Sequence, residues 1–404
     1  MLSDRSGSTR RGLSLVEVLV VFVILGMSLV VFIPALNQMT EGARAAQCQN
    51  RLRRLTQGAL QFEAARGGLP AGAYLNAAGT SIRCKTVGTY NDGYGTDSVF
   101  FGCFDLMGRF GAPNFGWIPL VLPYIDQQDT YNLIDFSMRA QDQFDDVEDD
   151  DLFVDRGHPS GRAKPEPFVR ELTNLICPSD GGPKTHYDGE GATQGFLVIR
   201  RTRGFAKTNY VGFLSVVHMN HFKDAEGAMG GFDLGSPVGL SLAQIPDGTS
   251  HTLLNTEVRT MDHAGDSRGV WALAFPGATS IVTDWHPESP TSQYVPDPSF
   301  LPRNVALPNS QTFDDVMLGG QTHSSAADKQ GMPFRAFNQG GAFLAATARS
   351  RHPRGVYATA VDGRAGLISN QIDPLTYVYL VHPRDGRDTD FGDAIETPAT
   401  IDTP

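Results

Sequence analysis

Cysteine is scarce in this chain, four residues in 404 (Cys48, Cys84, Cys103 and Cys177), and none stands in a C-x-x-C pair. The spacing therefore matches neither a local zinc motif nor a thioredoxin-like redox site. Basic charge is also short. The 33 Lys and Arg against 44 Asp and Glu leave a net charge of −11, which argues against nucleic acid as a main partner. No G-x-S-x-G, P-loop or dinucleotide fingerprint occurs, so the sequence offers no signature for those chemistries. His218 and His221 stand as H-x-x-H without the glutamate of H-E-x-x-H, a poor metal motif in a strand or loop context. No internal repeat is evident.

What is present is concentrated at the N-terminus. Residues 1–12 carry Arg5, Arg10 and Arg11 against Asp4, a local +2, so a chain without them would carry −13. Residues 13–36 form an apolar run of about 24 residues, roughly 36 Å of helix and sufficient for a hydrocarbon core of about 30 Å. Arg10 and Arg11 directly before it predict a cytoplasmic leader and a head on the other side. The run is too long for a secretory signal peptide, and 33–36 (Ile-Pro-Ala-Leu) is a poor cleavage site of that kind. A plain signal anchor fits the length but not Glu17, since a carboxylate inside a membrane segment is costly and usually has a functional partner.

Beyond the apolar run, residues 37–66 contain no proline. Ala45, Cys48, Leu52, Leu55, Ala59 and Phe62 recur at spacings of three and four, one stripe of an amphipathic helix. Gly67, Gly68 and Pro70 end it. The simplest expectation is one helix over about 14–66, its first half in lipid and its second under a globular head at 67–404. A coiled-coil seam is the rival reading, but the stripe is short and alanine-rich.

In the head, strand-like runs lie between Gly, Pro, Asn and Asp punctuation at 195–200, 209–217, 251–258, 269–275, 355–361 and 377–381. The fold class expected is α+β, pilin-like, with a long N-terminal helix packed on a large, mainly antiparallel β head. Residues 73–115, 139–156 and 286–335 read as loop insertions. The acidic stretch 142–155 reads as a solvated loop, with a divalent-ion site as the rival. Asp385, Asp388, Asp390 and Asp393 form a second acidic cluster without EF-hand order, so calcium is possible there but no cofactor is expected. His352 and Asp362 are an evident catalytic temptation. Ten steps of extended chain would separate them by roughly 33 Å, too far for a dyad on one straight strand. Asp362-Gly363 reads instead as a hairpin turn.

Two resemblances follow from these residues. Arg10-Arg11-Gly12-Leu13-Ser14-Leu15-Val16-Glu17 resembles the type IV prepilin cleavage and methylation motif of bacteria. In that family a membrane peptidase and methyltransferase cuts after the glycine, here between Gly12 and Leu13, and methylates the new N-terminal residue, here Leu13. Leu13 departs from the usual Phe. Glu17, fifth in the mature chain, would pair with the terminal ammonium of a neighbouring subunit, and Pro34 matches a helix-kinking proline. The head resembles the domain of unknown function 1559 family of large prepilin-like proteins. The matching blocks are 43–55, 116–128, 175–180, 208–212, 245–253 and 350–353 with Asp362 and Gly363, the last spaced as His, nine residues, Asp-Gly.

The resemblance implies a non-enzymatic subunit of a type IV pilus-like or type II secretion-like assembly. It implies no catalytic residue, and partners limited to the prepilin peptidase, like subunits through the helix, and membrane lipid. The location implied is the inner membrane in a single pass, with the head extracytoplasmic and on the cell surface after assembly. The alternative is a membrane-anchored extracytoplasmic protein that binds an ion, a glycan or a cell-surface partner. Of the three connectivities four cysteines allow, the family-matching residues point to Cys48 with Cys177, leaving Cys84 with Cys103.

Overall fold

The computed structural model describes residues 15–74, 86–91, 97–101, 115–136, 140–143, 167–187, 204–216, 227–229, 232–233, 236–274, 277–283, 305–311, 314–316, 324–336, 346–386, 389 and 391–394. The chain divides into two compact units, Met1–Ala46 and Gln47–Pro404.

A single helix, α1, runs over Leu15–Arg66. In the first unit its apolar side chains are exposed, among them Leu15 (81 %), Phe22 (69 %) and Val30 (74 %). Among the described residues no helix is long and apolar enough to cross a membrane. Of the segment 13–36, residues 13 and 14 and the side chains of 29 and 31–35 lie outside the described set.

In the second unit α1 is amphipathic in fact. Cys48, Leu52, Leu55, Ala59 and Phe62 are buried in the core, each large apolar side chain contributing about 1.5–3 kcal/mol. Gly67 ends the helix at φ +83°, its N–H donating to the Glu63 carbonyl, a left-handed cap that glycine adopts at little cost.

The head is α+β, built on a mainly antiparallel sheet with a smaller mixed one. Twelve strands occur among the described residues: β1 (Ala73–Tyr74), β2 (Thr86–Asn91), β3 (Asp97–Phe101), β4 (Phe115–Gly116), β5 (Tyr210–Ser215), β6 (Phe232–Asp233), β7 (Leu253–Glu257), β8 (Ser280–Val282), β9 (Asp314–Val316), β10 (Phe334–Ala336), β11 (Gly355–Ala360) and β12 (Ala365–Ser369). The main sheet has the order β12-β11-β7-β5-β8, antiparallel except for the parallel β5–β8 pair. The mixed sheet is β4-β1-β6, and β2–β3 and β9–β10 pair separately.

Alternation along β5 and β11 decides the layers. Tyr210 and Leu214 join the core that includes Cys48, Leu52 and Leu55 of α1, with Tyr357 packed against it. Val211, Phe213, Val356, Ala358 and Ala360 point to the opposite core, closed by the helix Pro374–Val381. Tyr377 of that helix meets Phe213 edge to face, ring centroids 6.0 Å apart. β11 and β12 are joined by a turn in which Gly363 takes φ +90° and donates its N–H to the Ala360 carbonyl. Asp362 Oδ1 accepts the Arg364 N–H at 2.9 Å, bracing the turn.

Two runs expected to be strands are not. Residues 377–381 are helical because Asp373 caps the segment, its carboxylate accepting the Thr376 N–H, with Pro374 at the first helical position. That cap outweighs the β-branched and aromatic composition. Of 269–275, Val270 and Leu273 make only isolated bridges, to Lys207 and Phe115. Trp271 instead turns into the aromatic core against Phe168, centroids 5.5 Å apart. Residues 195–200 lie outside the described set.

Candidate functional site

Five chain segments converge where α1 meets the main sheet. Cys48, on the buried stripe of α1, is joined by a disulfide to Cys177 across 129 residues of sequence. Cys177 opens a helical turn, Pro178–Asp180, closed by Gly181 in the left-handed conformation. The Cys177 N–H donates to Asn209 Oδ1 at 2.8 Å, which ties the turn to the start of β5.

Asp180 is the hub of the polar side of this centre. Only 3 % exposed, its carboxylate accepts four hydrogen bonds. Oδ2 takes them from Asn209 Nδ2 (2.8 Å), Thr260 N (3.0 Å) and Thr260 Oγ1 (2.8 Å), and Oδ1 from Arg351 Nε (3.0 Å). Arg259 Nε lies 3.9 Å away. Burial, reinforced by the like charge of Arg351, lowers the Arg259 pKa to about 10 against the pull of Asp180.

His352 lies on the sulfur side, buried with Glu257. Its Nε2 is 3.2 Å from Glu257 Oε1 and 3.8 Å from Cys177 Sγ, and its ring meets Tyr357 edge to face. Glu257 Oε2 accepts the Tyr357 N–H at 2.8 Å, so the carboxylate is held from both sides. Tyr210 stands opposite Glu257 in the β5–β7 register, and burial, with the Glu257 charge, raises its phenol pKa well above the ordinary value.

Two further polar clusters lie elsewhere in the head. Arg268 is fully buried between Asp266 (2.6 Å) and Asp314 (2.9 Å), and Arg349 Nε also binds Asp314 (2.9 Å). Burial pulls the Arg268 pKa down, but the two carboxylates outweigh it and raise the pKa above the usual arginine value. Asp247 accepts the N–H groups of Asp385 (2.6 Å) and Gly386 (2.9 Å) beside His382. Burial and Arg384 lower the His382 pKa to about 4.

His352 and Asp362 stand at opposite ends of β11 and are not brought together. Asp362 instead pairs with Arg364 at 2.9 Å on the half-exposed turn. Glu17 is exposed in the first turn of α1. Gly12, Leu13, Cys84, Cys103, His218, His221, Asp388, Asp390, most of 142–155 and the side chain of Asp393 lie outside the described residues. Glu257 was not singled out by sequence. Its available signal was a lone carboxylate next to last in the otherwise uncharged strand run 251–258. Thr56 was missed as well. It lies buried beside the stripe, its hydroxyl 2.7 Å from that of Thr359, with Asn255 completing the contact.

The converging segments are the helix around Cys48, the turn after Cys177, the start of β5, the end of β7 and the approach to β11. All lie within residues 37–375, which match the family described as Protein of unknown function (DUF1559). No curated protein and no solved structure matches the chain. With the match spanning most of its length, the chain belongs to the DUF1559 family.

Proposed function

We propose that this protein is a prepilin-like, non-enzymatic subunit of a type IV pilus-like or type II secretion-like assembly. A prepilin peptidase cuts between Gly12 and Leu13 and methylates Leu13. The apolar segment from Leu13 onward then anchors the chain in the inner membrane and packs with like segments, the head lying outside the cytoplasm. Glu17 sets the register by pairing with the terminal ammonium of a neighbouring subunit, which offsets the cost of its charge in lipid.

The observation that carries this reading is the order basic pair, Gly12, apolar run, Glu17 at the head of one unbroken helix. Two features support it. The apolar side chains of Leu15, Val16, Leu19, Phe22 and Ile24 are exposed on that helix, a surface that water disfavours and lipid or a like helix would cover. The Cys48–Cys177 disulfide suits a head that matures in an oxidising compartment. The family match begins at residue 37, so the leader and apolar run rest on their own motif.

The test is processing in cells that carry a prepilin peptidase. Gly12→Ala should leave the chain uncut, and Glu17→Ala should be cut yet fail to enter filaments. Cleavage of Gly12→Ala at the same bond would sink the reading. Normal filaments from Glu17→Ala would remove the pairing role, and cleavage without any assembly would favour an anchored binding protein.

A further inference from the structure

We propose that, in the dithiol form of the chain, Cys48, Cys177, Glu257 and His352 are the four ligands of a structural zinc site, which the disulfide replaces on oxidation. One ligand atom from each of the four residues lies within 4.8 Å of those of the other three, and all four residues are at most 5 % exposed.

The donor set is two thiolates, an imidazole and a carboxylate, all ordinary zinc ligands, and four protein donors in a closed pocket are the pattern of a structural site. With Zn–S near 2.3 Å and Zn–N or Zn–O near 2.0–2.1 Å, the edges of a tetrahedron are about 3.5 Å for S to N and about 3.4 Å for N to O. Two edges already stand close to those values, His352 Nε2 to Cys177 Sγ at 3.8 Å and His352 Nε2 to Glu257 Oε1 at 3.2 Å. The sulfur-to-sulfur edge opens from a bond to about 3.8 Å when the disulfide is reduced, and the remaining three edges lie within 4.8 Å.

The surroundings hold the ligands in place, as outer partners of metal ligands do. The Tyr357 N–H on Oε2 leaves Oε1 of Glu257 directed at His352. Tyr357 packs on the imidazole and Ser350 Oγ accepts the backbone N–H of His352. Asn209 fixes the Cys177 backbone.

The chemistry balances with a phosphine reductant. The phosphine takes an oxygen from water and becomes the phosphine oxide, and the disulfide gains two electrons and two protons to become two thiols. Zinc then displaces one proton from each thiol, so binding releases two protons while the imidazole binds neutral.

Cobalt(II), a spectroscopic stand-in for zinc, tests this on the full chain in a Cys84→Ser, Cys103→Ser background. The protein is folded oxidised, checked by near-ultraviolet circular dichroism, then reduced with a phosphine under anaerobic conditions. One Co2+ per chain should bind with the intense visible bands of tetrahedral geometry and sulfur-to-cobalt charge transfer, and Zn2+ should bleach them. The oxidised chain should give neither signal. His352→Ala and Glu257→Gln, prepared in the same way, should each weaken binding more than tenfold. Absence of binding, an octahedral spectrum, wild-type affinity in both variants, or binding only by a chain that has lost its near-ultraviolet signal would each overturn the proposal.

Discussion

Removing the Cys48–Cys177 bond by the double change Cys48→Ala, Cys177→Ala has a magnitude that follows from the fold. The bond closes a loop of 129 residues. Chain-entropy reasoning at that length gives about 5 kcal/mol of stability at 25 °C, lost because the unfolded chain regains its freedom. Natural disulfides measured by removal cost about 2–5 kcal/mol, so the loss should fall in that span. Both cysteines are buried. The assay is urea unfolding of the oxidised full chain and the variant in the presence of a chelator. Tryptophan fluorescence reports it, since Trp117 and Trp271 are both fully buried. A difference below about 1 kcal/mol would show that the 129-residue loop is already restricted in the unfolded chain, and would refute the reasoning.

Asp180→Ala should cost about 3–5 kcal/mol, because it strands the buried Arg259 and the donors of Asn209 and Thr260. A loss near zero in the same urea assay would contradict the hub role. Asp362→Ala, at the far end of β11 from His352, should cost about 1 kcal/mol or less, since its partner Arg364 is well exposed. Stability should also fall as pH drops. With the His382 pKa held at about 4, the unfolded chain takes up a proton near pH 6.5 that the folded chain refuses, even with the Asp247 and Asp385 carboxylates within reach. The stability is therefore full above about pH 6.5 and is lost progressively toward pH 4, by up to about 3 kcal/mol. His382→Gln should flatten that slope, and an unchanged slope would show that other groups set it.

The helix was the most legible element, because a stripe at spacings of three and four and a stop at Gly67, Gly68 and Pro70 are local signals. Strand runs at 209–217, 251–258 and 355–361 were legible for the same reason, and β5, β7 and β11 fall inside them. The run at 377–381 misled because its β-branched and aromatic residues lie three residues beyond a cap, Asp373-Pro374, that sets a helix. The site was legible only in part: the resemblance paired Cys48 with Cys177, as the structure does, and singled out His352, but nothing pointed to Glu257 or to its contact with that histidine. Glu257 and His352 are 95 residues apart, and Cys177 and His352 are 175 apart. Only the pairing of β7 with β11, and the docking of α1 behind them, puts these groups together. A metal motif of short spacing was absent, and four ligands scattered over 305 positions leave no local pattern to read. Buried ion groups such as Arg268 with Asp266 and Asp314 are hidden in the same way, since sequence shows charge but not its burial.

The claim that this is a processed, prepilin-like subunit is tested most directly by the N-terminal residue of the protein isolated from its native membranes. Mass spectrometry of the first peptide should find Leu13, carrying a methyl group on its amine and lacking the twelve leader residues. A chain that still begins at Met1, or one cut beyond residue 36, would contradict the account.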